Sequence, residues 1–195
     1  MTDPAQDFDK MAERMEAFGE EIGRALPGWV MDGLDIIGVR TQRNYFIKSS
    51  RESMYTQHPD PNKLTSRGGA LMKSYGPLGG AFSLAGSREG YQKVNVQGDV
   101  VTGIKGSTVS YAAIHEYGGD THPRVTAKSR RFFWHLYYTT GNEKYKMMAL
   151  TPKDRFTVHI KARPSLGPAA KESEKEIQQR IMNHIQDLIN GRFQA

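Results

Sequence analysis

The chain predicts an α+β fold built from N-terminal helices, a small antiparallel sheet with long loops, and a C-terminal helix. Three observations predict it. Apolar residues recur at three- and four-residue steps near both ends, alternating segments flank Gln97-Gly98-Asp99, and a long stretch rich in Gly, Ser and Pro lies before them. A length of 195 residues sets the expectation of a single domain over 1–195, with 1–27 a helical arm and 54–90 a long loop region.

Phe8, Met11, Met15, Phe18, Ile22 and Leu26 place one apolar stripe on a first helix. Pro27-Gly28 is expected to end it. A second helix is expected from Trp29 into the forties, with Val30, Leu34, Ile37, Thr41 and Tyr45 on one side; Gly33 and Gly38 weaken it, each by about 1 kcal/mol relative to Ala. Over 54–90, His58-Pro59-Asp60-Pro61 and Gly76-Pro77-Leu78-Gly79-Gly80 act as breakers, with a helical turn at Gly69–Tyr75. Tyr91–Val96 and Val100–Ile104 form a hairpin pattern around Gln97-Gly98-Asp99. Val109–Ile114 suits a short strand or the start of a helical turn, and Phe156–Ile160 alternates as a further strand. Between them, Ala127–Tyr138 has helical spacing and a stop at Thr139-Thr140-Gly141-Asn142. The last element, 168–190, carries Ile177, Ile181, Ile185 and Leu188 on one stripe, with Gly191 in the C-terminal capping position.

Composition narrows the function classes. Hydrophobic residues are 37% of the chain and mean hydropathy is -0.62, so much of the surface must be polar. There is no cysteine, which excludes disulfides, thiolate metal sites and thiol nucleophiles together and fits a reducing cytoplasm. No apolar run reaches the roughly 18 residues of a membrane span, and an opening that holds Asp3, Asp7 and Asp9 is not expected to be a cleaved secretion signal. The net charge of +6 is unevenly spread. Residues 1–27 hold seven acids and three bases, whereas 120–155 hold eight bases and three acids. Such asymmetry steers a subunit toward its neighbours or toward nucleic acid.

Catalytic patterns are incomplete. His115-Glu116 begins an HExxH zinc site, but position 119 is Gly, and His122 lies beyond a Gly-Gly break. Ser107, Ser110, His115 and Asp120 lack a GxSxG elbow, and Gly76–Gly80 is no P-loop. No catalytic residue, metal ligand or cofactor is therefore expected. A hydrolase centred on His115 is the weakest alternative, revealed by sensitivity to a chelator. Ile114 and Tyr117 are expected to pack inward, while His115 and Glu116 hydrogen-bond near a turn in which Gly118-Gly119 takes positive φ. The basic, aromatic run Arg124–Tyr138 is the best case for nucleic acid, since bases neutralise phosphates and aromatics stack on nucleobases. Phe132, Phe133, Trp134, Leu136, Tyr137 and Tyr138 are dense enough, however, that a buried helix face with a solvated basic flank is the expectation.

One ordered set of residues carries a resemblance. Tyr111-Ala112-Ala113-Ile114-His115-Glu116-Tyr117-Gly118-Gly119, then Thr121–Tyr138, then Phe156–Pro168, with Leu64–Tyr75 upstream, resembles the phage virion-morphogenesis family of tail-completion and head-tail joining proteins over roughly residues 25–190. Its signature falls on Tyr111, His115, Glu116, Gly118, Gly119, Arg163 and Pro164; Lys161 departs from a proline common in the family. The resemblance implies a non-enzymatic virion assembly protein, a tail-completion or neck component at the head-tail junction or tail end, assembled in the host bacterial cytoplasm. It implies partners that are other copies in a ring, neighbouring neck or tail proteins, passive contact with DNA, and no membrane. Glu13, Glu16 and Glu20 are expected to meet Arg124, Lys128 and Arg131 of an adjacent copy. The alternative is a DNA-binding protein using the basic aromatic segment 120–155.

Overall fold

The structure, a computed structural model, describes residues 4–48, 63–66, 69–76 and 90–193. The chain is mixed α+β and divides into two compact units, one formed by Met1–Ala112 with Pro164–Ala195 and the other by Ala113–Arg163.

The first unit opens with α1, Pro4–Tyr45, a single helix that continues through Pro27 where the sequence predicts a break. Proline removes the amide that would bond to Gly23, at a cost of about 3 kcal/mol in a helix interior. Packing from Trp29 onward against α6, Leu166–Phe193, offsets that cost. The two helices run antiparallel: Trp29 stacks on His184 with ring centroids 5.5 Å apart, Gly33 faces Ile177, and Arg40 and Asn44 reach Glu172. Small residues let them approach closely. Ala169, Ser173 and Thr41 are fully buried, and Ser173 and Thr41 each donate a hydroxyl hydrogen bond to the carbonyl four residues earlier, at 2.7 Å. Helix α6 continues past Gly191, which lies inside its last turn and not at a cap.

Strands β3, Gly90–Gln97, and β4, Val100–Ser107, pair antiparallel from Gly90↔Ser107 to Gln97↔Val100, as the alternation predicts. The face of β4 toward α1 carries Gly103 against Val30 and Leu34. Burial of Leu34 contributes about 1.5–3 kcal/mol. Strands β1, Phe46–Lys48, and β2, Leu64–Ser66, form a parallel two-stranded ladder, although Leu64–Ser66 falls in the expected loop. The sheet of the prediction is thus several separate two-stranded ladders, one of them parallel. Helix α2, Ala70–Ser74, matches the helical turn expected at Gly69–Tyr75. Within the 54–90 loop, residues 54–62, 67–68 and 77–89 lie outside the described residues, His58–Pro61 included. Phe46, Leu64, Leu71, Tyr75, Val109 and Ala112 form the core of this unit, with Leu166 packed against it. Ser74 is buried in it because its hydroxyl donates to the Leu71 carbonyl at 2.8 Å and meets Ser107 Oγ at 2.7 Å.

The second unit holds most of α3, Ala112–Tyr117, followed by β5, Gly119–Thr121, α4, Ala127–Thr140, α5, Glu143–Leu150, and β6, Val158–Ile160. Strands β5 and β6 pair antiparallel, and an Arg124↔Arg155 bridge extends the pairing. Thr126 and Ser129 cap α4 reciprocally, Ser129 N to Thr126 Oγ1 at 3.1 Å and Thr126 N to Ser129 Oγ at 2.7 Å. Gly141 closes it in the left-handed conformation at the expected stop. Helix α5, which the sequence reading leaves out, starts from an Asn142 cap that accepts the Lys144 amide at 3.0 Å. Two expectations fail in this unit. Tyr117 does not pack inward and is 82% exposed, and α4 presents no buried residue, with Phe132 and Tyr138 exposed. The aromatic side chains pack on one another instead: Phe133 meets Phe156 edge-on at 5.3 Å, and Trp134 stacks on Tyr138 at 5.7 Å.

Candidate functional site

The stretch Tyr111–Gly119 builds a turn of helix and a sharp exit. The Gly118 amide closes α3 on the Ile114 carbonyl at 2.9 Å. Gly118 and Gly119 then take φ of +74° and +140°, as their pairing predicts, and deliver the chain into β5. A side chain at position 118 would stand 2.9 Å from the backbone nitrogen of Ala162, so the returning segment after β6 seals this corner. The Arg163 amide donates to the His115 carbonyl at 2.7 Å, which ties the two ends of the unit together. Partial burial, and then the neighbouring Arg163 charge, lower the His115 pKa and favour the neutral ring. Glu116 is half-buried, Tyr111 and Pro164 are exposed, and Arg163 is half-buried. Within the second unit, His115, Gly118 and Arg163 are brought together as a structural corner.

No group of three or more metal-ligating side chains occurs among the described residues. His159 Nδ1 lies 2.8 Å from Asp120 Oδ1 across β5–β6, exposed, and His122 Nδ1 lies 3.4 Å from Thr157 Oγ1. They form cross-strand surface pairs.

Charge is carried by two surfaces, one on each unit. Along α1 the antiparallel pairing with α6 places the end of α6 roughly opposite Glu20, so about four turns of α1 extend beyond it. There Phe8 is 74%, Met11 59% and Met15 63% exposed. At 100° per residue, Asp9, Glu13, Glu16 and Glu20 fall within about 60° of one another, beside the Phe8, Met11, Met15 stripe and not within it. Glu13 and Glu16 have no ion pair among the described residues, and Glu20 makes only an exposed one with Arg24 at 3.5 Å. Pairs of that kind contribute little.

In the second unit Lys128 and Arg131 are exposed on the first turns of α4, and Arg124 is exposed opposite Arg155. Arg130, absent from the predicted set, is the structural arginine: its Nη1 donates to the carbonyls of Ala149 at 2.8 Å and Thr151 at 2.7 Å, fastening the end of α5 to α4. Between α5 and the strand approach lies a cleft of about 360 Å³, lined by Lys144, Met147, Met148, Lys153, Arg155 and Phe156 among others. Sequence reading missed it because α5 was missed. The signal was Asn142-Glu143, a capping residue followed by a first-turn acid.

A second groove, of about 710 Å³, lies along α1 and α6 in the first unit. Four of its polar side chains, Arg40, Asn44, Glu172 and Glu176, are engaged with one another. Arg40 bonds to the Glu172 carbonyl and to the Glu176 carboxylate, while Tyr45 and Asn44 donate to the Glu172 carboxylate. Partial burial and then that hydrogen bond push Tyr45 up to about 12, and the same bond holds Glu172 below the usual carboxylate range. This groove is a helix-helix clamp.

Residues 74–186, more than half of the chain, fit the model of the phage virion morphogenesis family. Neither a curated protein nor a solved structure matches.

Proposed function

Because the chain belongs to the phage virion morphogenesis family, we propose that it is a non-enzymatic assembly subunit that completes the tail or joins it to the head, acting as a ring of identical copies. The observation that carries this reading is the pairing of unlike surfaces on one chain. The first unit offers an acidic helix with exposed Phe8, Met11 and Met15, and the second offers exposed Arg124, Lys128 and Arg131. Unlike surfaces that meet head-to-tail generate rings when the rotation closes. Glu13, Glu16 and Glu20 against Arg124, Lys128 and Arg131 supply the steering term. The neighbours above and below are other neck or tail proteins, and assembly occurs in the host bacterial cytoplasm. No helix among the described residues is long and apolar enough to cross a membrane.

Disabling the gene in its phage tests the role. Filled heads and near-normal tails that do not unite, or that unite into non-infectious particles, are the expected outcome. Normal infectious yield would overturn it. A second reading, DNA binding by 120–155, draws on the exposure of Phe132 and Tyr138 beside Lys128 and Arg131. It predicts affinity for DNA that falls steeply with salt, and empty heads in the mutant phage.

A further inference from the structure

We infer that the cleft beside α5 is the receptor for the N-terminal turns of α1 from another copy of this chain. The inference rests on the assembly reading for its second copy, and it names which surfaces of the two subunits meet. Three properties of the cleft point to this occupant. Its lining carries three bases, Lys144, Lys153 and Arg155, and no acid. None of the three is in an ion pair among the described residues. Its apolar lining is Met147, Met148 and Phe156, with Met147 69% exposed and so available to a visitor.

The α1 overhang has the matching properties. Phe8, Met11 and Met15 stand at the i, i+3, i+7 spacing by which an amphipathic helix fills a groove. The acids Asp9, Glu13 and Glu16 run alongside, also without ion pairs among the described residues. Methionines on both sides suit the contact, because an unbranched thioether adapts to irregular gaps. In this arrangement the apolar stripe enters the cleft and the acidic stripe meets its basic rim. Arg124, cross-strand from Arg155, extends that rim, whereas Lys128 and Arg131 lie outside the lining and contribute to approach more than to the seated contact.

The cysteine-free chain makes a direct test possible. Purified Met15→Cys and Met147→Cys proteins are mixed and treated with a short bis-maleimide linker, with Met182→Cys, also exposed, replacing Met147→Cys as the control. A cross-linked heterodimer should form at least about tenfold more readily than in the control, a preference equivalent to about 1.4 kcal/mol. Phe8→Cys with Leu150→Cys is the second pair, in case one substitution disturbs folding. Lys153→Glu with Arg155→Glu should abolish the preference, and Glu13→Lys with Glu16→Lys should partly restore it.

Cross-linking no better than the control in both pairs overturns the inference. So does a Met15→Cys, Met147→Cys double variant that links only within a single chain, which would mean that α1 folds back on its own subunit. Loss of DNA binding in Lys153→Glu with Arg155→Glu, with cross-linking unchanged, would assign the cleft to nucleic acid and also overturn it. Because cross-linking is read on purified protein and the virion role on phage particles, either can fail while the other stands.

Discussion

The two units are stabilised in different ways. Among the described residues, the unit of 1–112 and 164–195 buries Leu34, Phe46, Leu64, Leu71, Tyr75 and Val109, and closes its helix contacts with Ala169, Ser173 and Thr41 at 0% exposure. Residues 113–163 bury only Ala149. That unit stands on half-exposed aromatic contacts, helix caps, short ladders and the Arg130 bonds. A region that buries little has more surface to offer a partner and less stability of its own. On the proposed assembly reading, the first unit would serve as the scaffold, and the second unit with the α1 overhang would provide the surfaces that assembly covers.

Each unit contains one tryptophan, Trp29 in the first and Trp134 in the second. Single-tryptophan variants, Trp134→Phe and Trp29→Phe, therefore report the units separately during urea unfolding. The largest effect is expected at Gly38, where a Cβ would lie 2.3 Å from the Tyr75 carbonyl oxygen. Gly38→Ala should cost about 3 kcal/mol by overpacking, whereas Gly28→Ala, with nothing within 4 Å, should gain up to about 1 kcal/mol from helix propensity. The Trp29 signal should record both changes. If the two variants behave alike, the first unit is not packed as tightly as the comparison requires.

A somewhat smaller effect is expected in the second unit. Gly118→Ala meets both a positive φ and the Ala162 backbone, and should cost about 2–3 kcal/mol. Gly141→Ala has nearly the same φ and open space around it, and should cost about 1 kcal/mol. Read by Trp134 with the Trp29 transition little changed, this pair would sharpen the division into two units. A shift of both signals by equal amounts would break it, because it would mean that the units unfold as one.

A further effect concerns pH and the first unit. Burial lowers Lys105 from 10.5 to about 8, although Asp35 pulls the other way, and its Nζ donates to Gln92 Oε1 at 2.6 Å and the Gly76 carbonyl at 3.1 Å. Between about 8 and 10.5 the folded protein binds fewer protons at this group than the unfolded chain does, so this group's contribution to stability rises as pH rises through that window. Relative to Lys105→Met, which does not titrate, the wild type should therefore gain Tm as pH increases across it. Parallel Tm profiles would show that Lys105 is solvated and the hairpin is loosely seated on α1.

Local spacing within the chain determined the helical stripes of α1 and α6, the β3–β4 hairpin, the α4 stop at Gly141, the positive φ of Gly118 and Gly119, and the segregation of acids from bases. Each depends on residues a few positions apart, whose geometry is set by the backbone period or by a missing Cβ. Tertiary structure alone decided the rest. Helix α1 runs through Pro27 because packing on α6 outweighs one lost hydrogen bond. The parallel β1–β2 ladder joins segments far apart in sequence. Tyr117, Phe132 and Tyr138 remain exposed because apolar spacing specifies a face but not whether anything covers it. The basic cleft escaped because α5 was not foreseen: Lys144, on that helix, shares a lining with Lys153 and Arg155 only in the folded unit, where Arg130 fastens the end of α5 to α4.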